Sequence, residues 1–205
     1  MTVDLLVLAG GRGERLGGQD KAAIVVAGRT LLDRVLDAAQ TLGGRTVVVG
    51  HGPVPAGVVR TLEDPPDGGP VAGIAAGLAA LDDADPASSD DAAARPAAAD
   101  WVAVVAVDQP GATPALVALH TALGSLPTDG VDALSHVDGT GHRQWLLALY
   151  RRAALDAALA ALPEARDVSV RRLVGPLRWH EVPSGADHLG DIDTWGDLER
   201  WQRDP

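Results

Sequence analysis

Short apolar runs alternate along the chain with segments whose apolar residues recur at helical spacing. Three mainly apolar runs, at 3–8, 46–49 and 101–107, are typical of strands buried on both faces of a parallel sheet. The first ends in glycines and the last at Asp108. A shorter run at 58–62 predicts a further strand that ends at Glu63-Asp64.

Two amphipathic segments lie between these runs. Apolar residues at helical spacing predict a helix over 31–42, and Gly43-Gly44 is expected to stop it. Gly69-Pro70 opens a second helix, because proline is favoured at the first helical position. Strands that alternate with helices in this way indicate a mainly parallel sheet covered by helices on both faces, a Rossmann-like α/β fold.

The pattern changes after Pro127, where strands no longer alternate regularly with helices. Two strand-like runs flank the turn sequence at 138–141, and a helix, a strand and a last helix follow. The predicted ranges are strands 131–137, 145–150 and 177–182 and helices 153–162 and 194–202. We expect one domain over 1–205 whose last part is a small α+β lobe. Residues 82–100, almost wholly Ala, Asp, Ser and Pro, are expected to form a mobile surface insertion.

The charge balance narrows the possible partners. The net charge is −11, which disfavours a nucleic-acid backbone or an anionic membrane but leaves room for a local basic pocket. The chain has no cysteine, which excludes disulfides, a thiolate nucleophile and cysteine-based metal sites. It has no charged leader and no apolar run long enough to cross a bilayer, so we expect a cytoplasmic protein.

Lys21 is the only lysine among seventeen cationic side chains, and it closes a glycine-rich segment at 8–21. A compact ammonium suits a point charge such as a phosphate, and the adjacent glycines leave backbone N–H groups available to an anion. The P-loop pattern does not fit, because Gln19 and Asp20 separate the lysine from the last glycine. The dinucleotide fingerprint does not fit either, since Leu16 stands where it needs glycine.

The segment reads L-A-G-G-x-x-x-R-L-G-G-x-D-K, which closely resembles the opening motif of the MobA-like nucleotidyltransferases, enzymes that attach a nucleotide to molybdopterin. Further resemblances follow in the family's order across nearly the whole chain. They are Glu63-Asp64, Gly69-Pro70-Val71-Ala72-Gly73, Val107-Asp108-Gln109-Pro110 and Asp191-Ile192-Asp193-Thr194. The resemblance implies transfer of GMP from Mg-GTP to the phosphate of molybdopterin or molybdenum cofactor, with release of pyrophosphate. It also implies molybdoenzyme-maturation factors as protein partners.

The resemblance assigns roles to individual residues. The backbone of Leu8, Ala9, Gly10 and Gly11 would lie against the nucleotide, and Asp64 would accept hydrogen bonds from the purine edge. Arg15 and Lys21 would hold the phosphates.

Asp108 follows a buried strand, where open α/β sheets bind ligands, and a carboxylate suits Mg²⁺. Asp108 is therefore the expected metal ligand, unless it caps the next helix or turn. Asp191 or Asp193 would supply a second carboxylate or cap the last helix.

Several alternatives stay open at this stage. Within the same mechanism, the nucleotide could be CTP or the acceptor another phosphate compound, although Gly10 and the glycine-proline motif favour guanine. The alternative from another functional class is a nucleotide-binding module without catalysis. His51 follows the second strand where the family often has asparagine, and Gln144-Trp145 replaces a pair that usually includes proline. Arginines in the second half form either an anion-receiving rim or a plain exposed face: Arg143, Arg151, Arg152, Arg171 and Arg172.

Overall fold

The computed structural model describes residues 1–10, 20–83, 98–138, 141–183 and 190–203. Nine strands lie within these ranges: β1 Val3–Leu8, β2 Val25–Val26, β3 Arg29–Thr30, β4 Gly43–Val49, β5 Val59–Thr61, β6 Trp101–Ala106, β7 Ala133–Val137, β8 Arg143–Arg151 and β9 Trp179–Pro183. The helices are α1 Leu31–Leu36, α2 Ala38–Leu42, α3 Pro70–Asp83, α4 Ala112–Ser125, α5 Arg152–Ala160, α6 Val170–Val174 and α7 Trp195–Arg203, with a 3₁₀ turn at Lys21–Ala23.

Seven strands form one sheet in the order β5-β4-β1-β6-β8-β7-β9, and β2 pairs with β3 in a separate hairpin. Strands β5, β4, β1 and β6 pair in parallel, β8 runs antiparallel to both of its neighbours, and β9 is parallel to β7. This confirms the predicted mainly parallel α/β sheet. The second half of the chain forms the far end of this same sheet.

Both faces of the sheet are covered, because alternate residues of each central strand point to opposite sides. Leu5, Val7 and Val105 pack with α1, α2 and α4 on one face, and Leu6 and Val104 pack with α3 and α6 on the other. Burial on both sides explains why these strands are mainly apolar. The buried exceptions Asp4 on β1 and Arg45 on β4 pair with each other. Within the described ranges, no helix has both the length and the apolar character needed to cross a bilayer.

Most predicted elements are present with boundaries that differ by a few residues. The predicted helix over 31–42 is two short helices joined at Asp37, and Gly43 ends the second one in the left-handed conformation (φ 68°). Helix α3 begins at Pro70 as predicted. Of the expected insertion at 82–100, residues 82 and 83 are the end of α3, Ala99 is buried, and 84–97 lie outside the described residues.

Helix α3 packs unusually close to the sheet. Gly73 and Gly77 face the strands, and a Cβ at Gly77 would lie 2.6 Å from the Leu6 Cδ1 atom. The close approach brings the first turn of α3 against the end of β1, since a Cβ at Gly73 would lie 3.0 Å from a Leu8 methyl. The loop before α3 is thereby held at the carboxyl edge of the sheet.

Candidate active site

The carboxyl ends of β1, β4 and β6 meet at one edge of the sheet. The start of the segment 8–11, which the sequence predicts to lie against the nucleotide, is at this edge. The Ala9 N–H donates to the Val49 carbonyl (2.9 Å), and the Val107 N–H donates to the Leu8 carbonyl (3.0 Å). Leu8 and Ala9 are buried and Gly10 is exposed. Residues 8–10 therefore leave the sheet between two neighbouring strands with their backbone fixed. Gly11 and Arg15 lie outside the described residues.

Lys21 enters the same region from the 3₁₀ turn. The Asp20 carboxylate caps this turn by accepting from the Ala22 N–H (3.0 Å), which fixes the backbone from which Lys21 extends. The Lys21 Nζ atom donates to Asp108 Oδ2 at 2.7 Å and to Asp193 Oδ1 at 2.9 Å. These contacts join parts of the chain separated by 87 and 172 residues.

A backbone hydrogen bond holds the two acidic segments together. The Ile192 N–H donates to the Asp108 carbonyl (2.8 Å), and the Ile192 side chain is fully buried. Asp191 and Asp193 flank this anchor, which places both beside the end of β6. Asp193 is not the cap of α7: Thr194 receives the Asp197 N–H on its hydroxyl, and Asp197 accepts from the Thr194 N–H.

The charges in this cluster influence one another. Burial alone would lower the pKa of Lys21, but its hydrogen bonds to Asp108 and Asp193 raise it overall, so the ammonium is firmly charged. Desolvation and the charges of Asp108 and Asp193 raise the pKa of Asp191. Asp191 is exposed at the rim, so crowding by two carboxylates explains its raised pKa better than withdrawal from water.

Gln109 is a site residue that the sequence interpretation gave no role. Its side chain is buried and hydrogen-bonds Asp191. Its Oε1 atom has no hydrogen-bond partner among the described residues, an unusual state for a buried amide oxygen. The signal in the sequence was its position directly after Asp108, at the end of a buried strand.

The side-chain oxygens at this site are of the chemical types that bind magnesium. Carboxylate and amide oxygens are the protein ligands that Mg²⁺ prefers, and it usually needs only one or two carboxylates beside water and phosphate. Asp108 and Asp193 provide carboxylates, and Gln109 provides an amide oxygen. Within the described ranges, no group of three acidic, histidine or cysteine residues converges as a ready-made metal site. The Lys21 ammonium lies between the two carboxylates instead.

Asp64 lies at the same sheet edge but on the other side of β1. It lines a cleft of about 460 Å³ between the end of β5, the alanine-rich flank of α3 and residues 164–166. The structure thus separates the predicted base contact from the Lys21–Asp108–Asp193 cluster. Strand order explains the separation, because β5 and β6 lie on opposite sides of the β4–β1 pair.

Arg166 holds the loop that carries Asp64, a role the sequence did not reveal. Its Nη1 atom donates to the carbonyls of Pro65 (3.3 Å) and Pro66 (3.2 Å). The Asp167 N–H donates to the Gly68 carbonyl (2.9 Å). The second half of the chain therefore braces the loop that precedes α3.

Of the five arginines predicted to form a rim or an exposed face, two make internal contacts and a third forms an ion pair. Arg151 donates to the Val131 and Thr128 carbonyls, and Arg152 pairs with Asp82 and Asp156. These two side chains are structural contacts. Arg143 pairs with exposed Glu181 and stacks over the Trp179 ring, with its Cζ 5.6 Å from the ring centroid.

The remaining residues singled out from the sequence lie on α6, on β8 and in the loop after β4. Arg171 and Arg172 are exposed on α6. The Gln144 amide lies 3.5 Å from Asp138, and Trp145 is partly buried in the core. His51 is an exposed loop residue whose carbonyl accepts from Arg60.

The fold and the site together define a class: an α/β domain whose charged residues gather where its parallel strands end, the usual ligand position in such sheets. The family sequence model of the MobA-like NTP transferase domain matches residues 5–182. The chain therefore belongs to the MobA-like NTP transferase family and is a nucleotidyltransferase, as the sequence motifs predicted.

Named relatives agree with this family. The molybdenum cofactor guanylyltransferase of Acidiphilium cryptum is 36% identical over 154 residues, which are 66% of this chain and 73% of that protein. Among solved structures, molybdopterin-guanine dinucleotide biosynthesis protein A of Archaeoglobus fulgidus has a TM-score of 0.64 at 20% identity, over 98% and 97% of the two chains. The 2-C-methyl-D-erythritol 4-phosphate cytidylyltransferase of Thermus thermophilus scores 0.63 at 21% identity, over 99% and 98%. Both structures show a shared fold.

Proposed function

We propose that this chain transfers GMP from Mg-GTP to the phosphate of molybdopterin, or of its molybdenum-loaded form, and releases pyrophosphate. The observation that carries the proposal is the juxtaposition of Lys21, Asp108 and Asp193 where β1 and β6 end. The guanylyltransferase name of a 36% identical relative supports guanine as the base.

The transfer is a substitution at the α-phosphorus. An ionised oxygen of the acceptor phosphate forms a bond to this phosphorus, the bond to the β-phosphate oxygen breaks, and pyrophosphate takes the electron pair. No side-chain base is needed, because the acceptor phosphate is already ionised near neutral pH. The protein contributes positioning and charge stabilisation.

Each charged group has a task in this scheme. The Lys21 ammonium, with Arg15 in the role its motif implies, would neutralise charge that develops on the leaving pyrophosphate. Asp108 and Asp193 would hold Mg²⁺, and Gln109 would orient Asp191 beside it. When bound, Mg²⁺ supplies Lewis-acid stabilisation of the phosphoryl oxygens. The backbone of residues 8–10 and the loop around Asp64 would hold the nucleoside.

The test measures pyrophosphate release with Mg²⁺, molybdopterin and each of GTP, CTP, UTP and ATP. We expect release with GTP alone. Lys21→Ala should lower the rate about 10²- to 10³-fold, the scale of losing one transition-state donor. Asp108→Ala should abolish release, and Arg171→Ala, which removes an exposed cation on α6, should retain it.

The other outcomes are equally informative. Release with CTP in place of GTP would keep the mechanism and overturn the base assignment. GTP binding without pyrophosphate release would overturn molybdopterin as the acceptor, and sugar phosphates would be tried next. Absence of release with every acceptor would favour a nucleotide-binding module without catalysis.

A further inference from the structure

The Lys21 ammonium occupies the space between the two carboxylates that would hold the metal. Its Nζ atom lies 2.7 Å from Asp108 and 2.9 Å from Asp193. The Lys21 and Asp108 side chains are only 19% and 20% exposed, whereas Asp193 is 47% exposed. Lys21 is thus a partly buried counter-ion.

An ammonium and a divalent cation compete for these oxygens. Both are compact, strongly hydrated cations that bind carboxylate oxygen at short distance, and two cations so close repel strongly in protein surroundings. A metal that binds Asp108 and Asp193 therefore has to displace Lys21. The exchange is easy for the side chain, because the turn backbone is capped by Asp20 while the four-carbon stem rotates.

The displaced ammonium needs a new anionic partner. Moving the ammonium away from both carboxylates without a new partner is costly, because the Lys21 side chain is only 19% exposed. In the reaction proposed above, the nucleotide triphosphate is that partner, since it arrives with the metal. Metal binding alone would leave the Lys21 ammonium without its two carboxylate partners, whereas the triphosphate that arrives with the metal gives it a new anionic partner.

We propose that Lys21 is an internal stand-in cation that keeps Asp108 and Asp193 together in the nucleotide-free enzyme and is exchanged for the divalent cation when nucleotide binds. This inference rests on the proposed function for the identity of the incoming anion. It follows that the nucleotide-free enzyme binds divalent metal weakly, and that metal and nucleotide reinforce each other's binding.

The first test measures metal affinity without nucleotide or turnover. Mn²⁺ is titrated into the protein and free Mn²⁺ is followed by electron paramagnetic resonance. We expect Lys21→Met to bind Mn²⁺ at least about tenfold more tightly than the wild type, the scale for removing a positive charge a few ångströms from a cation site. Lys21→Gln provides a second neutral variant of similar length.

A matched control separates exchange from a general change in net charge. Arg34 lies near the same strand end, where its Nε atom contacts the Pro110 carbonyl (3.5 Å). Arg34→Met removes the same charge and should change Mn²⁺ affinity by less than about twofold. Equal tightening in Arg34→Met and Lys21→Met, or no tightening in either Lys21 variant, would overturn the proposal.

The second test follows Lys21 itself in the unmodified chain. Because Lys21 is the only lysine, lysine labelled with ¹³C at Cε produces one side-chain resonance by nuclear magnetic resonance. During a Mg²⁺ titration this resonance should shift along the same saturation curve as metal binding. Metal saturation with an unmoved resonance would refute the exchange. Loss of pyrophosphate release with the exchange intact would instead refute only the proposed reaction.

Discussion

Arg45→Met should destabilise the fold far more than loss of an exposed ion pair, because it breaks a buried one. Asp4 on β1 and Arg45 on β4 have side chains only 2% and 4% exposed. The Arg45 Nη2 atom donates to Asp4 Oδ2 at 2.6 Å, and its Nη1 donates to the Leu81 carbonyl at 2.8 Å. The pair therefore joins two central strands to the end of α3.

The magnitude follows from what the substitution leaves behind. With Met at position 45, the Asp4 carboxylate keeps the backbone N–H of residue 45 (2.8 Å) but loses its buried counter-ion. The Leu81 carbonyl loses its side-chain donor as well. Removing one partner of a buried pair costs about 3–5 kcal/mol, and for a chain of this size that lowers the melting temperature by roughly 6–20 °C.

The assay is urea unfolding followed by the fluorescence of the five tryptophans and by circular dichroism. Arg29→Met is the matched control, because Arg29 and Asp37 form an equally short pair (2.6 Å) whose side chains are 49% and 48% exposed. We expect this control to unfold close to the wild type, since exposed pairs contribute little.

A double variant tests the cause. Asp4→Leu combined with Arg45→Met removes both charges and should recover most of the lost stability. The reasoning is refuted if Arg45→Met unfolds no earlier than Arg29→Met, or if the double variant is less stable than Arg45→Met.

Three further predictions concern the loop before α3 and the helical glycines. Arg166→Ala should raise the nucleotide KM about threefold to tenfold with little change in kcat, because the loop at 65–68 loses two hydrogen bonds; an equal change in Arg171→Ala would count against it. Gly77→Ala should destabilise by about 1–3 kcal/mol in urea unfolding, since the new Cβ meets a buried leucine of β1 at 2.6 Å. Gly124→Ala in α4 meets nothing within 4 Å and should stabilise by about 0.5–1 kcal/mol; a loss there would contradict the packing argument.

Much of the sheet could be predicted because burial on both faces leaves a nearly continuous apolar run in each central strand. The bounds predicted for β1, β4 and β6 lie within three residues of the observed bounds. Helix α4 was not predicted, although Ala112, Leu116, Leu119 and Leu123 recur on one face. This apolar pattern is the same kind of pattern that predicted the other helices. The structure shows the helix directly, packed on one face of the sheet.

The sequence by itself determined the alternation of strands and helices and the motifs of a nucleotidyltransferase, because these depend on local pattern and residue type. The roles of Lys21, Asp64 and Asp108 stay predictions. Only the tertiary structure decided which charges meet. Lys21 contacts Asp193 across 172 residues, and Arg166 supports a loop about 100 residues earlier. Strand order determines which of these distant segments are close in space. Strand order in turn depends on the packing of the whole sheet rather than on any local segment.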